Sequence, residues 1–450
     1  MEKLKLSEIA PYLGATYNKD AEFDSVCIDT RKITKGCLFI CIKGERFDAH
    51  QFADEALSLG ASAVMIHSDI EPNGAYIKVA DTSKAMLSLS GYYRSKFDIP
   101  VIGLTGSVGK TTTKEFTHLV VSAKYNAIKT LGNLNNEIGV PQMLFQIDNS
   151  IEAAVIEMGM NHFGEISRLV NEVKPTIGLI TNVGVSHIEN LGSREGILKA
   201  KLELCEGLAE GAPLILNGDN DMLQSVKDEH HKVVFYGIKN GEFKAENIVE
   251  ADNSTSFDVA YYGKKQHISI PTIGIHNVYN ALAAFTVGYF LDIDAQQSAD
   301  ALANYVPAGM RQKVVDIDGI TSIEDCYNAS PDSMRAALKT LSDIKGNKKI
   351  AVLGDMLELG NYSEIAHTDV GKAVAENKID YLLAFGDDAK FYVDGAKQGG
   401  AGNAFLFDDK EKLSEMLLSI AKKGDAVLFK GSRGMKLEDV INTVYKGWRK

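Results

Sequence analysis

Long apolar runs are missing from this 450-residue chain. None approaches the roughly 20 residues that cross a bilayer, so no membrane insertion is expected. The opening residues Met1-Glu2-Lys3-Leu4-Lys5-Leu6-Ser7-Glu8 lack the apolar centre of a secretory signal, and the expected location is the cytoplasm. Cysteine is scarce. Cys27, Cys37, Cys41, Cys205 and Cys326 are an odd, scattered set that makes no disulfide framework. Cys37 and Cys41 flank Leu38-Phe39-Ile40 with no second pair at zinc spacing, so no metal centre is expected there. Positive charge is in deficit, with 48 Lys and Arg against 60 Asp and Glu for a net charge of -12, which argues against nucleic acid as a partner. An anionic small substrate stays open, because a local basic cluster can sit on an acidic protein. Short-period repeats and low-complexity tracts are absent too, which excludes a solenoid or a disordered tail.

What is present is an ordinary folded composition, long enough for two to four domains. Three blocks emerge. Residues 1–97 mix short strands, at 37–42 and 63–66, with a helix over about 81–97. Residues 98–306 repeat apolar strand runs at 101–104, 153–156, 177–180, 213–216 and 233–236. Helical segments separate the first four, a pattern that demands a parallel sheet covered on both faces. Hairpin-like stretches follow at 257–262 and 267–270, and a helix near 277–289 closes the block. Residues 307–450 alternate strand and helix again: strands at 320–324, 350–353, 381–385, 404–407 and 426–430, with helices from 331, 364 and 436 and one ending at 422. The fold class is therefore α/β, with a small mixed N-terminal domain, a central domain on a mostly parallel sheet, and a doubly wound, Rossmann-like C-terminal domain.

The first chemical signal is Thr105-Gly106-Ser107-Val108-Gly109-Lys110-Thr111-Thr112. It lies between an apolar strand and a helix expected from Thr113. Glycines let successive amides curl toward phosphate oxygens, and the helix N-terminus adds its positive end. Lys110 would reach the β- and γ-phosphates of ATP, and the Thr111 hydroxyl would hold Mg²⁺. The general pattern asks for glycine at position 104. Here Leu104 stands there and Gly103 precedes it. Glu157, at the end of the next strand run, is placed to hold the metal. His187 follows the strand at 177–180 and the turn Asn182-Val183-Gly184, at the sheet edge where α/β ligand sites gather. Lys201, in Leu198-Lys199-Ala200-Lys201-Leu202, reads from pattern alone as a surface lysine.

Seven runs in and beyond the second block, taken together, resemble the Mur ligases, ATP-dependent amide-forming enzymes of peptidoglycan synthesis. The phosphate loop is one. The others are Gly132-Asn133-Leu134-Asn135-Asn136-Glu137-Ile138-Gly139-Val140-Pro141, Glu157-Met158-Gly159-Met160-Asn161-His162, His276-Asn277-Val278-Tyr279-Asn280-Ala281-Leu282-Ala283-Ala284, Asp325-Cys326-Tyr327-Asn328-Ala329-Ser330-Pro331-Asp332-Ser333-Met334, Gly354-Asp355-Met356-Leu357-Glu358-Leu359-Gly360 and Lys430-Gly431-Ser432-Arg433-Gly434-Met435. The N-terminal run Lys43-Gly44-Glu45-Arg46-Phe47-Asp48-Ala49-His50 fits as well. Glu-Met-Gly-Met-Asn, Gly-Asp-Met-Leu-Glu-Leu-Gly and Lys-Gly-Ser-Arg-Gly-Met look like the branch that adds D-alanyl-D-alanine to a UDP-N-acetylmuramoyl tripeptide.

The resemblance implies an N-terminal domain for the UDP-sugar, a central ATPase domain, and a mobile C-terminal domain hinged near 306–309. Catalysis would rest on Lys110, Glu157, His187 and Lys201. Lys201 aligns with a lysine that family members carbamylate, and the carbamate would hold a second Mg²⁺ with His187. Asn280 would face the adenine side of ATP, with Arg311, Asp325 and Asn328 approaching from the C-terminal domain. Thr30 and Arg31 would contact the uridine nucleotide, and Lys43, Gly44, Asn133, Asn135 and Asn136 the rest of the substrate. Asp29-Thr30-Arg31 stands where the family often has Ser-Arg, and Ser330 and Cys326 replace the branch's usual Asn and Ser. A monomer is expected. The rival readings are a sister ligase adding the third peptide residue, a folylpolyglutamate synthase-like ligase, and a non-catalytic nucleotide-binding regulator on the same scaffold.

Overall fold

The computed structural model describes residues 1–251, 254–306 and 313–449. Three larger sheets divide the chain. The first has five strands in the order Thr16–Tyr17, Tyr76–Lys78, Ala63–Ile66, Cys37–Ile40 and Ser25–Cys27, parallel except for the first pair. The helix Thr82–Arg94 flanks it. Asp81 fixes its start by accepting from the amides of Ser83 and Lys84, and it stops three residues short of the expected 97. Tyr93, fully buried on this helix, donates to the carbonyl of Ile147 and so ties the first unit to the second.

The central sheet has nine strands, in the order Lys264–Ile270, Ser254–Tyr261, Phe243–Ala251, Lys232–Gly237, Pro213–Asn217, Ile177–Ile180, Val101–Thr105, Ala153–Glu157 and Ala127–Lys129. From Ala127–Lys129 through Phe243–Ala251 the pairings are parallel, and the last two strands fold back antiparallel. The parallel strands at 101–105, 153–157 and 177–180 are buried throughout, as strands covered on both faces must be. Three expectations need correction here. The helix after the phosphate loop begins at Lys110, not Thr113, because Gly109 serves as its cap. The helix Ile275–Phe290 does not close this unit; Ala295–Ala303 follows, started by the Asp294 side chain on the amides of Gln296 and Gln297. The hairpin region gains Phe243–Ala251, a strand whose alternation is too polar to announce itself.

The third sheet orders Lys313–Ile317, Ile320–Asp325, Ala426–Lys430, Lys349–Gly354, Tyr381–Phe385 and Ala404–Phe407, parallel apart from the first hairpin. Helices Pro331–Asp343, Ser363–Glu376, Ala389–Gln398, Lys410–Ile420 and Glu438–Trp448 cover its faces. The strand ends at Asp325 and Lys430, on neighbouring strands, open toward the central unit.

Candidate active site

Register places the chemistry. Val101–Thr105 sits in the middle of the central sheet, with Leu104 opposite Glu157 on one side and Thr105 opposite Ile180 on the other. The chain therefore leaves the sheet at its carboxyl edge, where α/β folds bind ligands. Leu104 is still inside the strand and fully buried, so the glycine of the general pattern has no turn to serve there. The turn starts at Gly106, where a Cβ would lie 1.8 Å from the Thr181 hydroxyl oxygen. Gly109 adopts φ +81°, and the helix Lys110–Ser122 starts after it.

The loop's amides converge. Those of Ser107 and Val108 donate to one oxygen, Oδ1 of Asn182, at 3.1 and 2.9 Å. Lys110 Nζ folds back onto the carbonyls of Gly106 (2.8 Å) and Ser107 (3.4 Å). The Thr111 hydroxyl lies 3.1 Å from Glu157 Oε2, and Asn135 Nδ2 donates to Glu157 Oε1 at 2.8 Å. Glu157 is almost wholly buried, and a second lysine of the loop helix, Lys114, stands 3.6 Å from it. Lys114 is itself buried and also faces Glu115, which pairs with Lys129. Nothing in the sequence pattern distinguished Lys114 from a surface lysine.

On the other side lie His187 and Lys201. His187 adopts a left-handed backbone, φ +62°, at the start of the short helix Ile188–Leu191. Burial, with the nearby charges of Lys110 and Lys201, pushes its imidazole down to about 4, so the ring is neutral at physiological pH. Lys201 is 2% exposed, against the surface position its sequence suggested. Burial and the charge of Lys110 hold its amine well below the ordinary lysine range. Among the described residues no carboxylate lies within ion-pair distance of it. Lys110, His187 and Lys201 thus lie close enough to shift one another's titration.

One cavity of about 640 Å³ gathers most of these residues. Its lining includes residues 107–112, Asn133, Asn135, Asn136, Glu157, His187 and Asn280 from the central unit, and Asp325, Asn328, Asp332 and Lys430 from the C-terminal unit. Asn280 lies under the loop, accepting from the Thr113 hydroxyl at 2.9 Å. Lys430, buried, pairs with Asp325 and reaches the carbonyl of Asn328 at 3.3 Å. The run 430–435 alone assigns Lys430 no task, and Asn182 reads from sequence only as part of a turn. Cys326 and Ser330 have structural partners: the Cys326 thiol lies 3.2 Å from the Phe429 carbonyl, and Ser330 caps the helix Pro331–Asp343.

Thr30, Arg31, Lys43 and Gly44 do not line this cavity. Thr30 and Arg31 lie on an exposed turn where Asp29 grips Arg31 through two hydrogen bonds, at 2.8 and 2.7 Å. Lys43 and Gly44 belong to a tight loop closed by the Gly44 amide on the Phe47 carbonyl at 2.8 Å, with Lys43 3.7 Å from Asp48. Arg311 falls outside the described residues.

A strand–glycine loop–helix with Lys110 and Thr111 at its mouth, faced by a strand-end carboxylate, defines a nucleoside-triphosphate-using P-loop enzyme. Its site is shared with a second α/β unit. Residues 22–88 match the catalytic domain of the Mur ligase family, 104–288 the Mur ligase middle domain, and 310–433 the Mur ligase glutamate ligase domain. The chain is similar to the UDP-N-acetylmuramoyl-tripeptide–D-alanyl-D-alanine ligase of Bacillus subtilis (strain 168), at 39% identity over 92% of each chain. Among solved structures it superposes on MurF from Acinetobacter baumannii with a TM-score of 0.92, 30% identity and 99% of both chains covered. It also superposes on MurF ligase from Thermotoga maritima in complex with ADP, with a TM-score of 0.86 and 28% identity over 94% of this chain and 97% of that one. The chain belongs to the Mur ligase family, and it is an ATP-dependent ligase of the peptide-bond-forming type.

Proposed function

We propose that this enzyme joins the amine of D-alanyl-D-alanine to the terminal carboxylate of a UDP-N-acetylmuramoyl tripeptide, in cytoplasmic peptidoglycan precursor synthesis. The observation that carries this reading is the shared cavity, in which a phosphate loop, Glu157 and His187 face a second domain's side chains. The choice of substrates follows the names of the full-length relatives.

In the first step a carboxylate oxygen of the tripeptide bonds to the γ-phosphorus of ATP. The bond to the β-phosphate oxygen breaks and ADP is released as leaving group, giving an acyl phosphate. The converging amides of Ser107 and Val108, with Lys110, offset charge on the transferring group. In the second step the uncharged dipeptide nitrogen bonds to the acyl carbon, the carbon–oxygen bond to phosphate breaks, and phosphate leaves with the electron pair and takes up the proton that the nitrogen loses. Water would destroy the acyl phosphate, so the C-terminal domain, residues 307–450, serves as the lid.

The donor set fits Mg²⁺, a hard cation that takes hydroxyl and carboxylate oxygens. Thr111 and Glu157 would hold one ion, 3.1 Å apart as they already stand. When bound, Mg²⁺ neutralises phosphate charge. Lys201 fits the carbamate reading, because only a neutral amine adds to CO₂, and burial holds its amine well below the ordinary lysine range. With His187 it would hold a second ion. Asn280, Asp325 and Asn328, with Arg311 by resemblance, take the nucleotide. Asn133, Asn135 and Asn136 take the tripeptide end of the substrate. In the N-terminal domain, residues 1–97, Thr30, Arg31, Lys43 and Gly44 take the uridine end. The enzyme acts as a monomer in this reading. Phosphate release measured with UDP-N-acetylmuramoyl tripeptide and ATP tests the reading. Turnover should require D-alanyl-D-alanine; equal turnover with single amino acids would overturn it.

A further inference from the structure

Away from the cavity, three side chains of metal-ligating type meet. Cys205, Asp228 and His231 each offer one ligand atom, and these three atoms lie within 4.8 Å of one another. Among the described residues no other three His, Cys, Asp or Glu side chains form such a group. The place is the amino edge of the central sheet. Pro213 and Lys232 begin neighbouring parallel strands and stand opposite each other. Cys205 precedes the first of these strands, and Asp228 and His231 precede the second. The phosphate loop leaves the same sheet at its carboxyl edge, so the two places are separate.

The backbone holds the three in place. Cys205 rides on the short turn Glu203–Gly207. The Glu203 carboxylate accepts from the amides of Gly164 (2.8 Å) and Ser167 (3.0 Å), and Leu204 is fully buried. A Cβ on Gly207 would lie 2.4 Å from the Val170 carbonyl oxygen, so the turn is pressed against the helix Glu165–Val173. The second segment is tied to the first: the Gly211 amide donates to the His230 carbonyl at 2.7 Å, and the Lys232 amide to the Ala212 carbonyl at 3.0 Å. Asp228 Oδ1 accepts from the amides of His230 (2.8 Å) and His231 (3.1 Å), which leaves Oδ2 2.8 Å from His231 Nδ1. Such outer hydrogen bonds orient the carboxylates that bind metals. The two side chains are only 15% and 8% exposed. Thiolate, imidazole and carboxylate together suit Zn²⁺, which takes sulfur, nitrogen and oxygen in a tetrahedron and leaves a fourth position to water. Its bonds of about 2.0–2.3 Å set ligand atoms roughly 3.3–3.6 Å apart, so small side-chain rotations complete the site. Mg²⁺ prefers oxygen and does not compete for the thiolate.

We propose that Cys205, Asp228 and His231 bind one Zn²⁺ ion, which clips together the two segments at the amino edge of the central sheet. Cys205 binds as the thiolate, and its proton passes to solvent. The test uses the full chain, stripped of metal with a chelator and titrated with CoCl₂, because cobalt(II) occupies zinc sites and absorbs in the near ultraviolet when a thiolate binds it. One cobalt ion per chain should give that thiolate band, and ZnCl₂ should abolish it, with a zinc Kd of about 1 µM or below. Cys205→Ser should lose the band. His231→Gln and Asp228→Asn should each weaken zinc binding at least about tenfold, the least that losing even an outer partner of a metal site costs. Circular dichroism checks that each variant is folded; if Cys205→Ser is not, the other two variants decide the question. A parent chain without the thiolate band would overturn the proposal. So would a band that persists in folded Cys205→Ser, or zinc affinity unchanged in both His231→Gln and Asp228→Asn.

Discussion

The central and C-terminal units are built alike, yet their carboxyl edges carry opposite chemistry. Each is a mostly parallel sheet covered by helices. At the central edge stand Lys110, Lys201 and a neutral His187, with the carboxylate of Glu157 tied to neighbours. At the C-terminal edge stand Asp325, Asp355 and Glu358, with Lys430 spent on Asp325. One edge is poised for anions, the other offers carboxylates. Architecture therefore does not set the chemistry of a doubly wound sheet; the side chains just past the strand ends do. Facing the two edges across one cavity yields a site that neither sheet has alone.

The comparison breaks most completely at the loop. Lys110→Ala should cut ADP formation at least about a thousandfold, because charge on the transferring phosphoryl group loses its principal side-chain cation. Retained turnover in a phosphate-release assay would refute the loop's role. At the opposite edge, Lys430→Ala leaves the Asp325 carboxylate without its cation in a largely buried place. It should lower stability by about 3 kcal/mol, read by urea denaturation. An unchanged midpoint would show that the pair is dispensable.

A finer test concerns Asp355. Burial, with the nearby Asp388 charge, pushes its carboxyl up to about 6. Its folded value is raised above the unfolded one, so the folded state binds the proton more tightly. The associated stability is present below about pH 4 and lost as pH rises through 6. Asp355→Asn should therefore gain up to about 3 kcal/mol over the parent at pH 7 and nothing at pH 4. A gain that is the same at both pH values would contradict this. The smallest effect belongs to the first unit, outside the comparison. Asp81→Ala removes the cap of Thr82–Arg94 and should cost about 1 kcal/mol without changing kcat. A fall in kcat would show that the first unit's helix is coupled to the chemistry.

The apolar runs read most reliably. Strands Ala63–Ile66, Ile177–Ile180, Tyr381–Phe385, Ala404–Phe407 and Ala426–Lys430 have the ends their sequence patterns suggested. Most are continuous apolar stretches that a parallel sheet must bury. The three-residue strands Ser25–Cys27, Tyr76–Lys78 and Ala127–Lys129 carry too few apolar residues to stand out, and only pairing with a neighbour makes them strands. The phosphate loop, too, was legible, because its chemistry is local and its spacing is dictated by backbone geometry. Lys201 and Lys114 show the limit. Each sits in a sequence that suits an exposed helix, and each is buried because distant segments close over it.

By itself, then, the amino-acid order determined the three-block α/β arrangement, the phosphate loop and the carboxylate at the end of the next strand. All of these follow from periodicity or short-range spacing. Tertiary structure alone decided that Lys201 is enclosed, with its amine held below the ordinary lysine range, that His187 is neutral, and that Glu358 reaches across from another sheet. Burial and long-range approach set a side chain's charge and partners, and residues far apart in the chain supply both.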